Sequence, residues 1–570
     1  TSTNGVSAFG ASVNIISKNP EEKFYVKSDN SYGSFNTYKY SAEIGTGKFW
    51  NSRLSLMGRY TKIHSDGYID RAFSDLDSYN FSALFEENKT KIRLLAFGGK
   101  EKTYQAWNAI DKATWETNPR FNYSGAIYDA NYKNIVGFYD NETDNYRQNH
   151  YQFLWNQKFN ESWNLETTAH YTKGKGYYEN YKQDAKFSKY NLPDLFVNNQ
   201  TIKRTDFIRK KWLDNDFYGG VSTLYGKFNN LDLNFGVVAN QYKGKHYGNV
   251  TGVFFPQIFE NEYYRNNSVK NEFAGFAKFI LAKNRFEFFG DLQLRTIHYK
   301  TSIVTQGDFE GADLDQNWLF FNPKAGINYK IPAGKIFVSA AIAHREPNRD
   351  DLFANPKTEA EKLYDFEAGL EKTLGIFSFT TNLYYMNYVN QLVLNGKIND
   401  IGEFIRVNSG KSYRAGIEIG ALAKLSEQWN LSGNLTLSKN ENIDFKNETA
   451  TGIENLGNRN ISFSPESIAN LLVNYRPSKD FSFGLQNQFV GSQYLDNTQN
   501  ENLELSSYFL ADLNAKYTLT LKKLAIDFKL LVNNVLNKKY VNNGFVYDST
   551  PYYFSQAGTN FLFGVSFVTN

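Results

Sequence analysis

The sequence predicts an all-β chain folded as a transmembrane antiparallel β-barrel of about 22 strands, with long extracellular loops and short periplasmic turns. Three observations carry this expectation. Aromatic residues make up 17% of 570 positions and Pro only 11 of them, a composition suited to pleated, half-buried surfaces. Segment after segment alternates apolar and polar side chains with a period of two. Tight turns and long polar loops then alternate along the chain, which sorts them to opposite rims.

The elements follow in order. Thr1 to Ile16 carries no charge and is broken by Gly5 and Gly10, where the backbone must turn or be closely approached. It reads as a segment packed inside something else, the remnant of a gate, and residues 1–20 are set apart from a barrel over 21–570. Strand alternation is plain in Arg285 to Arg295, where Phe286, Phe288, Leu292 and Leu294 oppose Glu287, Asp291, Gln293 and Arg295. The same pattern sets Ala325, Ile327 and Tyr329 against Lys324 and Asn328, Ile417 and Ile419 against Arg414 and Glu418, and Leu513 and Tyr517 against Asp512. One face of each strand suits lipid and the other water. Short turns are expected near Phe49, Asn160, Asn229, Asn284, Gly334, Gly375, Glu427, Ser478 and Lys522. Long loops are expected over Tyr104 to Asn145, Lys175 to Trp212, Gly244 to Ser268 and Glu441 to Ser462. A soluble sandwich also alternates, but it has no reason to sort its loops by rim. Phe49, Trp50, Trp163, Phe228, Phe286, Phe377, Trp429 and Phe481 gather at the short-turn rim, where amphipathic rings sit at headgroup level. A barrel this wide is not filled by its own side chains and needs a plug.

Other classes are excluded by composition. Mean hydropathy is −0.54, and apolar runs such as Ile336 to Ala343 fall short of the roughly 20 residues of a membrane helix. The absence of Cys removes disulfides, thiolate metal sites and a cysteine nucleophile. A net charge of +4, from 63 basic and 59 acidic residues without blocks, gives no nucleic-acid stripe. The six His (His64, His150, His170, His246, His298, His344) lack metal-ligand spacing. Ser409 to Ser412 imitates the tail of a phosphate loop, yet Ile405 stands where the leading Gly belongs. No catalytic signature appears, so an enzyme is not expected.

The opening TSTNGVSAFGASVNI resembles the end of the plug domain of TonB-dependent outer-membrane receptors. The run from Arg345 through Glu346, Pro347, Asn348, Arg349 and Asp350, the NNVLNKKY stretch at Asn533 to Tyr540, and the closing strand from Gln556 to Phe561 resemble the barrel of that family. The resemblance covers essentially the whole chain. It implies an outer-membrane location in a Gram-negative bacterium, contacts with the lipid bilayer and lipopolysaccharide, a plug domain, and TonB with its inner-membrane energising complex as partner. It also implies uptake of a scarce solute such as a metal chelate (a siderophore among them), a vitamin or a saccharide. The chain departs from the family pattern at both ends. Most of the plug and the TonB-contacting segment are missing before Thr1, and Asn570 lies three residues past Phe567, whereas the family usually closes on an aromatic. The expectation is that the plug was encoded and was lost, was cleaved or lies outside this sequence.

Candidate ligand contacts are the loop aromatics Tyr104, Trp107, Trp115, Tyr177, Tyr178, Tyr181, Tyr247, Phe254, Phe255, Tyr263 and Tyr264, since rings in water-facing loops cost solubility unless they pack on something. Packing on one another is the alternative. Arg345 and Arg349 suit bidentate capture of an anionic ligand or pinning of their own loop. Lumen and plug contacts are expected from Arg59, Glu166, Glu287, Asp291, Arg295, Lys324, Arg414, Glu418, Asp512 and Lys529, with simple solvation as the alternative. No cofactor is expected. The acidic stretches Asp140 to Asp144 and Asp313 to Gln316 offer oxygen ligands for calcium without a complete calcium motif.

The favoured function is energised uptake. The alternative is a passive wide channel or a scaffold barrel within a larger outer-membrane assembly, with a lipoprotein or other assembly partner. The plug reading predicts that the mature protein from its native membrane weighs more than the 65.5 kDa of this chain by a small domain. Intact mass spectrometry checks this, and a mass equal to the chain favours the channel.

Overall fold

The structure, a computed structural model, describes residues 9, 15–254, 261–305, 311–398, 404–449 and 452–569. It is a closed wall of 22 antiparallel strands. The first five are β1 (Phe24–Gly33), β2 (Thr37–Phe49), β3 (Leu54–Ser65), β4 (Ser74–Glu87) and β5 (Thr90–Tyr104). After a long loop come β6 (Thr143–Lys158), β7 (Trp163–Lys186), β8 (Arg204–Phe228), β9 (Leu231–Gly252), β10 (Asn261–Lys283) and β11 (Phe286–Thr305). They are followed by β12 (Leu314–Ile331), β13 (Gly334–Arg345), β14 (Glu361–Leu374), β15 (Phe377–Val389) and β16 (Lys411–Lys424). The last six are β17 (Trp429–Thr449), β18 (Ser467–Tyr475), β19 (Phe481–Val490), β20 (Tyr508–Leu521), β21 (Leu524–Asn533) and β22 (Asn560–Thr569).

Each strand pairs with its sequence neighbours, and β22 returns to β1 through Lys27↔Val568 to Gly33↔Leu562. Closure leaves no unpaired edge for lipid to meet. One further strand, Gly452–Asn460, pairs only with the outer part of β17. Among the described residues two short α-helices occur in the loops, α1 (Lys112–Thr117) and α2 (Arg349–Ala354). The closing strand begins at Asn560 rather than Gln556.

The faces are set by alternation. On β11 Asp291, Gln293, Arg295, Ile297 and Tyr299 are buried, whereas Leu292 and Leu294 between them are about half exposed, at 51% and 52%. Large side chains pointing outward into exposure mark the lipid face. At the inward Gly236 a neighbouring ring takes the space of a side chain: a Cβ there would lie 2.1 Å from the Phe276 ring, so the aromatic packs on bare backbone.

Turns at one rim are tight. Two residues suffice between β4 and β5, β8 and β9, β10 and β11, β12 and β13, β14 and β15, and β20 and β21. Asn88, Asn284 and Gly375 open three of them with φ of 50°, 58° and 57°, the left-handed region that Asn and Gly tolerate best. At this rim Trp50, Phe228, Phe286, Phe377 and Trp429 are exposed rings, and Trp163 packs edge-on against Phe228 at 5.5 Å.

The opposite rim corrects three of the expected loops, one of them Glu441 to Ser462, most of which is the outer part of β17 and its hairpin partner Gly452–Asn460. Strands β7 to β10 are 24, 25, 22 and 23 residues long, more than twice the roughly 9 to 11 needed to span. Most of Lys175 to Trp212 and of Gly244 to Ser268 is therefore strand projecting beyond the bilayer. Polar residues dilute the alternation there and give those strands the composition of loops.

The face assignment makes a quantitative prediction. Leu292→Arg, at mid-depth on the lipid face, is expected to cost about 2–4 kcal/mol of stability in vesicles, and Glu418→Gln, on the wet inner face, less than about 0.5 kcal/mol. Urea titration of the vesicle-inserted barrel, followed by Trp fluorescence, checks both.

Candidate functional site

Loops pack into small cores at the long-loop end of the wall, and a buried ion network ties the loop after β13 to it. Arg295 on β11 is 0% exposed. Its Nη1 and Nη2 donate to the two Glu346 carboxylate oxygens at 2.9 and 2.8 Å, and its Nε donates to Glu272. Lys270 Nζ adds a bond to Glu346 at 2.5 Å. Two cations therefore face two carboxylates, an arrangement that withstands burial because each charge is paired and hydrogen-bonded. Burial works to raise the Glu346 carboxyl, but Lys270 and Arg295 hold it below its ordinary range.

This pairing draws the loop after β13 inward. Just beyond Glu346, Asn348 and Asp351 cap α2 reciprocally, Asp351 N to Asn348 Oδ1 at 2.7 Å and Asn348 N to Asp351 Oδ2 at 2.9 Å, as a capping box does. Arg406 from the neighbouring loop grips the same Asp351 with Nε and Nη2 at 3.0 and 2.6 Å. Leu352 packs with Tyr299 and Leu314. Arg349 lies between Asp350 at 3.1 Å and His246 at 2.5 Å, and Arg345 pairs with Glu361. Both arginines thus pin their own loop.

The chain's entry into the barrel is held from the wall. Arg93 on β5, which the sequence did not single out, donates to Ser82 Oγ at 2.9 Å, Ser17 O at 3.1 Å, Asn19 Oδ1 at 3.1 Å and Lys18 O at 2.5 Å. The Arg345 guanidinium lies 5.0 Å from the Phe9 ring, whose other neighbour is Tyr388 at 6.1 Å. Except for Phe9, Ile15 and Ile16, the opening stretch lies outside the described residues. An alternating Arg on a barrel strand looks like any other lumen residue, so no signal in the sequence marks the clamp.

The predicted ligand aromatics separate into groups. Tyr104 is 4% exposed, and its hydroxyl donates to Ser124 O and Tyr139 O within its own loop. Trp115 on α1 packs against Tyr553 with Lys539 over its ring at 4.7 Å. Around it Leu495, Leu503 and Leu505 close a small core, and Tyr552 and Tyr553 pair with Asp111 and Ile110 to tie two distant loops. Tyr263 and Tyr264 lie on β10, in a second core with Phe187, Tyr190, Phe207 and Val250. Tyr181, on β7, bonds Asp206 and stacks on Tyr139 at 5.6 Å. Beside it Glu142 accepts from Asn180 Nδ2 and Tyr181 N at 2.9 and 2.8 Å, and burial pushes its carboxyl up. Tyr177 on β7 and Tyr247 on β9 face outward. Trp107 and Tyr178 are half-buried and meet edge to face at 5.3 Å, with Tyr178 on the inward face of β7. Phe254 stands 66% exposed just past the end of β9; Phe255 lies outside the described residues.

The predicted lumen residues stand on the inward face. Glu166 accepts from Asn156 at 2.9 Å, Glu287 from Asn328 at 2.8 Å, Glu418 from Asn382 at 3.4 Å and Asp512 from Asn534 N at 2.7 Å. Arg414 donates to Ser464 Oγ at 3.0 Å, and Lys529 to Ser566 Oγ at 2.7 Å and Asp29 at 3.3 Å. Asp291 is buried opposite Lys324, and Arg59 is exposed within the lumen. In the two acidic stretches Glu142 is bound as above, Asp313 accepts from Ile303 N at 2.6 Å and Asp315 pairs with His298 at 2.9 Å. Among the described residues no cluster of three or more His, Asp or Glu is placed to hold a metal ion.

The network has a pH signature. Since the folded-state value of Glu346 is depressed, its stabilising contribution is present above the ordinary carboxyl value of 4.5 and disappears as pH falls through the lower folded value. Glu346→Gln is expected to cost about 3 kcal/mol locally and to speed hydrogen exchange of the α2 amides about 100-fold. In the native protein the same loosening appears only under acid. Exchange mass spectrometry at matched intrinsic rates checks both.

Comparison with known proteins follows the geometry. Over 97% of this chain and 83% of the other, the fold matches the closed form of the ferric-catecholate import receptor Fiu from E. coli K12 at a TM-score of 0.71 and 16% identity. The siderophore receptor PiuA from Acinetobacter baumannii matches over 97% and 82% at 0.73 and 14% identity, and the ferric citrate transporter FecA over 97% and 79% at 0.74 and 12%. In sequence, an uncharacterized TonB-dependent receptor of Haemophilus influenzae is 26% identical over 223 residues, 38% of this chain and 62% of that relative's length. The family model described as TonB dependent receptor-like, beta-barrel matches residues 101–537. The protein belongs to this family of TonB-dependent receptor-like β-barrels and resides in the Gram-negative outer membrane.

Proposed function

We propose that the protein is a gated receptor for uptake of a scarce solute across the outer membrane, energised through TonB, with a metal chelate as the solute class. The observation that carries the reading is the ordered filling of the lumen mouth. Loops tied by the Arg295–Glu346 network and the Arg406–Asp351 fork narrow the outer half, and Arg93 holds the entering chain against the wall. A passive channel gains nothing from loops folded into its own path, whereas a receptor uses them as a binding floor. The solute class follows the similar folds, which include receptors named for ferric catecholate, ferric citrate and copper. Trp107 and Tyr178 are the proposed ligand contacts, because these two half-buried rings meet edge to face on the inward side of β7, whereas Tyr104, Trp115, Tyr263 and Tyr264 pack into loop cores.

Uptake of labelled ferric chelates by cells carrying the native receptor tests this. Accumulation is expected to stop when a protonophore collapses the inner-membrane gradient, and Trp107→Ala is expected to weaken surface binding about 10-fold, a loss of roughly 1.4 kcal/mol. Accumulation that survives the protonophore overturns the energised reading, and steady large conductance in planar bilayers establishes the channel.

A further inference from the structure

Above mid-depth, β12 keeps a ladder on one side only. Its pairing with β11 runs from Tyr329 to Leu314, whereas its pairing with β13 stops at Lys324↔Ala341. The residue at the stop is Pro323. Lys330 N donates toward the β11 side, to Arg285 O at 2.7 Å, so alternation turns the odd-numbered amides of β12 toward β13. The next bond there would be donated by Pro323, which has no N–H. Beyond it β13 pairs with β14 alone, from Ile342↔Tyr364 to Arg345↔Glu361, and the N–H groups of Phe321 and Leu319 point across a seam. Counted from Tyr329, both residues lie within the roughly 9 to 11 that a strand needs to cross the bilayer.

Another uneven step in the wall is treated differently. Where β7 outruns β6, above Tyr178↔Asp144, loop groups take the edge: Gln105 Nε2 donates to Glu179 O at 2.9 Å, and Glu142 accepts from Tyr181 N at 2.8 Å. Among the described residues no loop group does this for β12, and one side chain shuts the seam instead. His344 stands opposite Lys362 in the outward register, yet its ring turns into the seam. It lies parallel within 5° to Phe320 at 5.2 Å, and its Nδ1 meets Asn322 Oδ1 at 2.9 Å. Phe320 and Asn322 are inward positions, the first 5.9 Å from the Arg295 guanidinium and the second bonded to Gln293 at 3.0 Å. Phe321 and Ile342 flank the seam on the lipid face. A side-chain latch therefore separates a polar part of the lumen from hydrocarbon.

We propose that this seam is a lateral port for an amphiphilic chelate. The metal-binding head of such a solute enters the lumen at the mouth while its acyl chain stays in the outer leaflet, passing between Phe321 and Ile342 as His344 swings aside. The inference rests on the uptake reading and adds the substrate class to it. A soluble chelate gains nothing from a break in the wall, since it arrives through the mouth. A tailed one would have to withdraw every methylene from hydrocarbon to enter a sealed barrel. The Phe321 and Leu319 amides, free of the ladder, are placed to donate to the carbonyl that joins head to tail. One ligand thus uses both sides of the seam and the donors within it.

The chain has no Cys, so Asn322→Cys with His344→Cys introduces two thiols and no others, which a short bis-methanethiosulfonate reagent ties and a reductant releases. The probes are a ferric catecholate bearing a dodecanoyl chain, the same complex without it, and dodecylphosphocholine as a tail without a chelating head. In lipid nanodiscs the untied receptor is expected to bind the tailed complex at least about 10-fold more tightly than the tied one, the equivalent of roughly two methylenes kept in hydrocarbon. The tailless complex is expected to bind both forms alike. Equal affinity of the two forms for the tailed complex, equal loss for the tailless one, or displacement by equimolar dodecylphosphocholine overturns the proposal. In cells, tying is expected to slow uptake of the tailed complex alone, about 10-fold and reversibly, and equal slowing of both complexes overturns it. Binding needs no energy source, so failure of energised uptake with the nanodisc result intact removes the TonB reading and leaves the port standing. Should the double variant not fold, judged by heat-modifiable gel mobility, Ile342→Trp decides: a loss of at least about threefold for the tailed complex alone is expected, and an unchanged affinity overturns the port.

Discussion

A strand edge in hydrocarbon has no water to satisfy its amides, and every other feature of this protein depends on how that constraint is met. The pairing of β22 with β1 removes the last edge. Closure also divides space in two. Each strand then presents one face to lipid and one to an enclosed aqueous compartment, so alternation ceases to be a preference and becomes obligatory. That is why exposed Leu292 and Leu294 and a fully buried Arg295 fall within four residues of one strand.

The enclosed compartment poses a second problem, since 22 strands make it too wide to fill from the wall alone. Here the loops take part. Three small cores, around Phe187 and Tyr263, around Leu495 and Trp115, and around Leu352, form where loops fold over the mouth. Charged groups do the anchoring. Leaving Arg295 without Glu346 would strand a cation in a dry site, so the network fixes the loop more firmly than one exposed ion pair would.

The architecture was legible because its signals are local: the parity of strands such as Phe286–Thr305, the tight turns at Asn284 and Gly375, and the rings at the short-turn rim each appear within a few residues. The loops were less legible. Strands β7 to β10 leave the bilayer, and once both faces are wet the apolar half of the pattern that identifies a strand is gone. Tyr177 and Tyr247 therefore read as loop aromatics while standing on strands. The candidate site was read only in outline. The sequence marks Arg345 and Arg349 as notable but not their partners, because Glu361 is set opposite Arg345 by the register of β13 and β14 and His246 meets Arg349 only once the loop after β13 folds inward. Arg93 carries no mark at all, since its role arises from backbone carbonyls of a segment some 75 positions earlier.

That last contact gives the barrel a mechanical anchorage. Arg93 holds main-chain oxygens of Ser17 and Lys18 as well as the Asn19 side chain, so two of its three contacts to this segment depend on the path of the chain rather than on which residues occupy it. Tension applied to the polypeptide ahead of Ser17 passes along the chain into β1 and, through the Arg93 guanidinium, into β5, where it is shared with β4 and β6, which hydrogen-bond along both of its edges. Load of this kind pulls in shear across many ladder bonds at once, the geometry in which a sheet resists best. Whatever moves inside the barrel thus does so against a fixed point, and the wall keeps its shape.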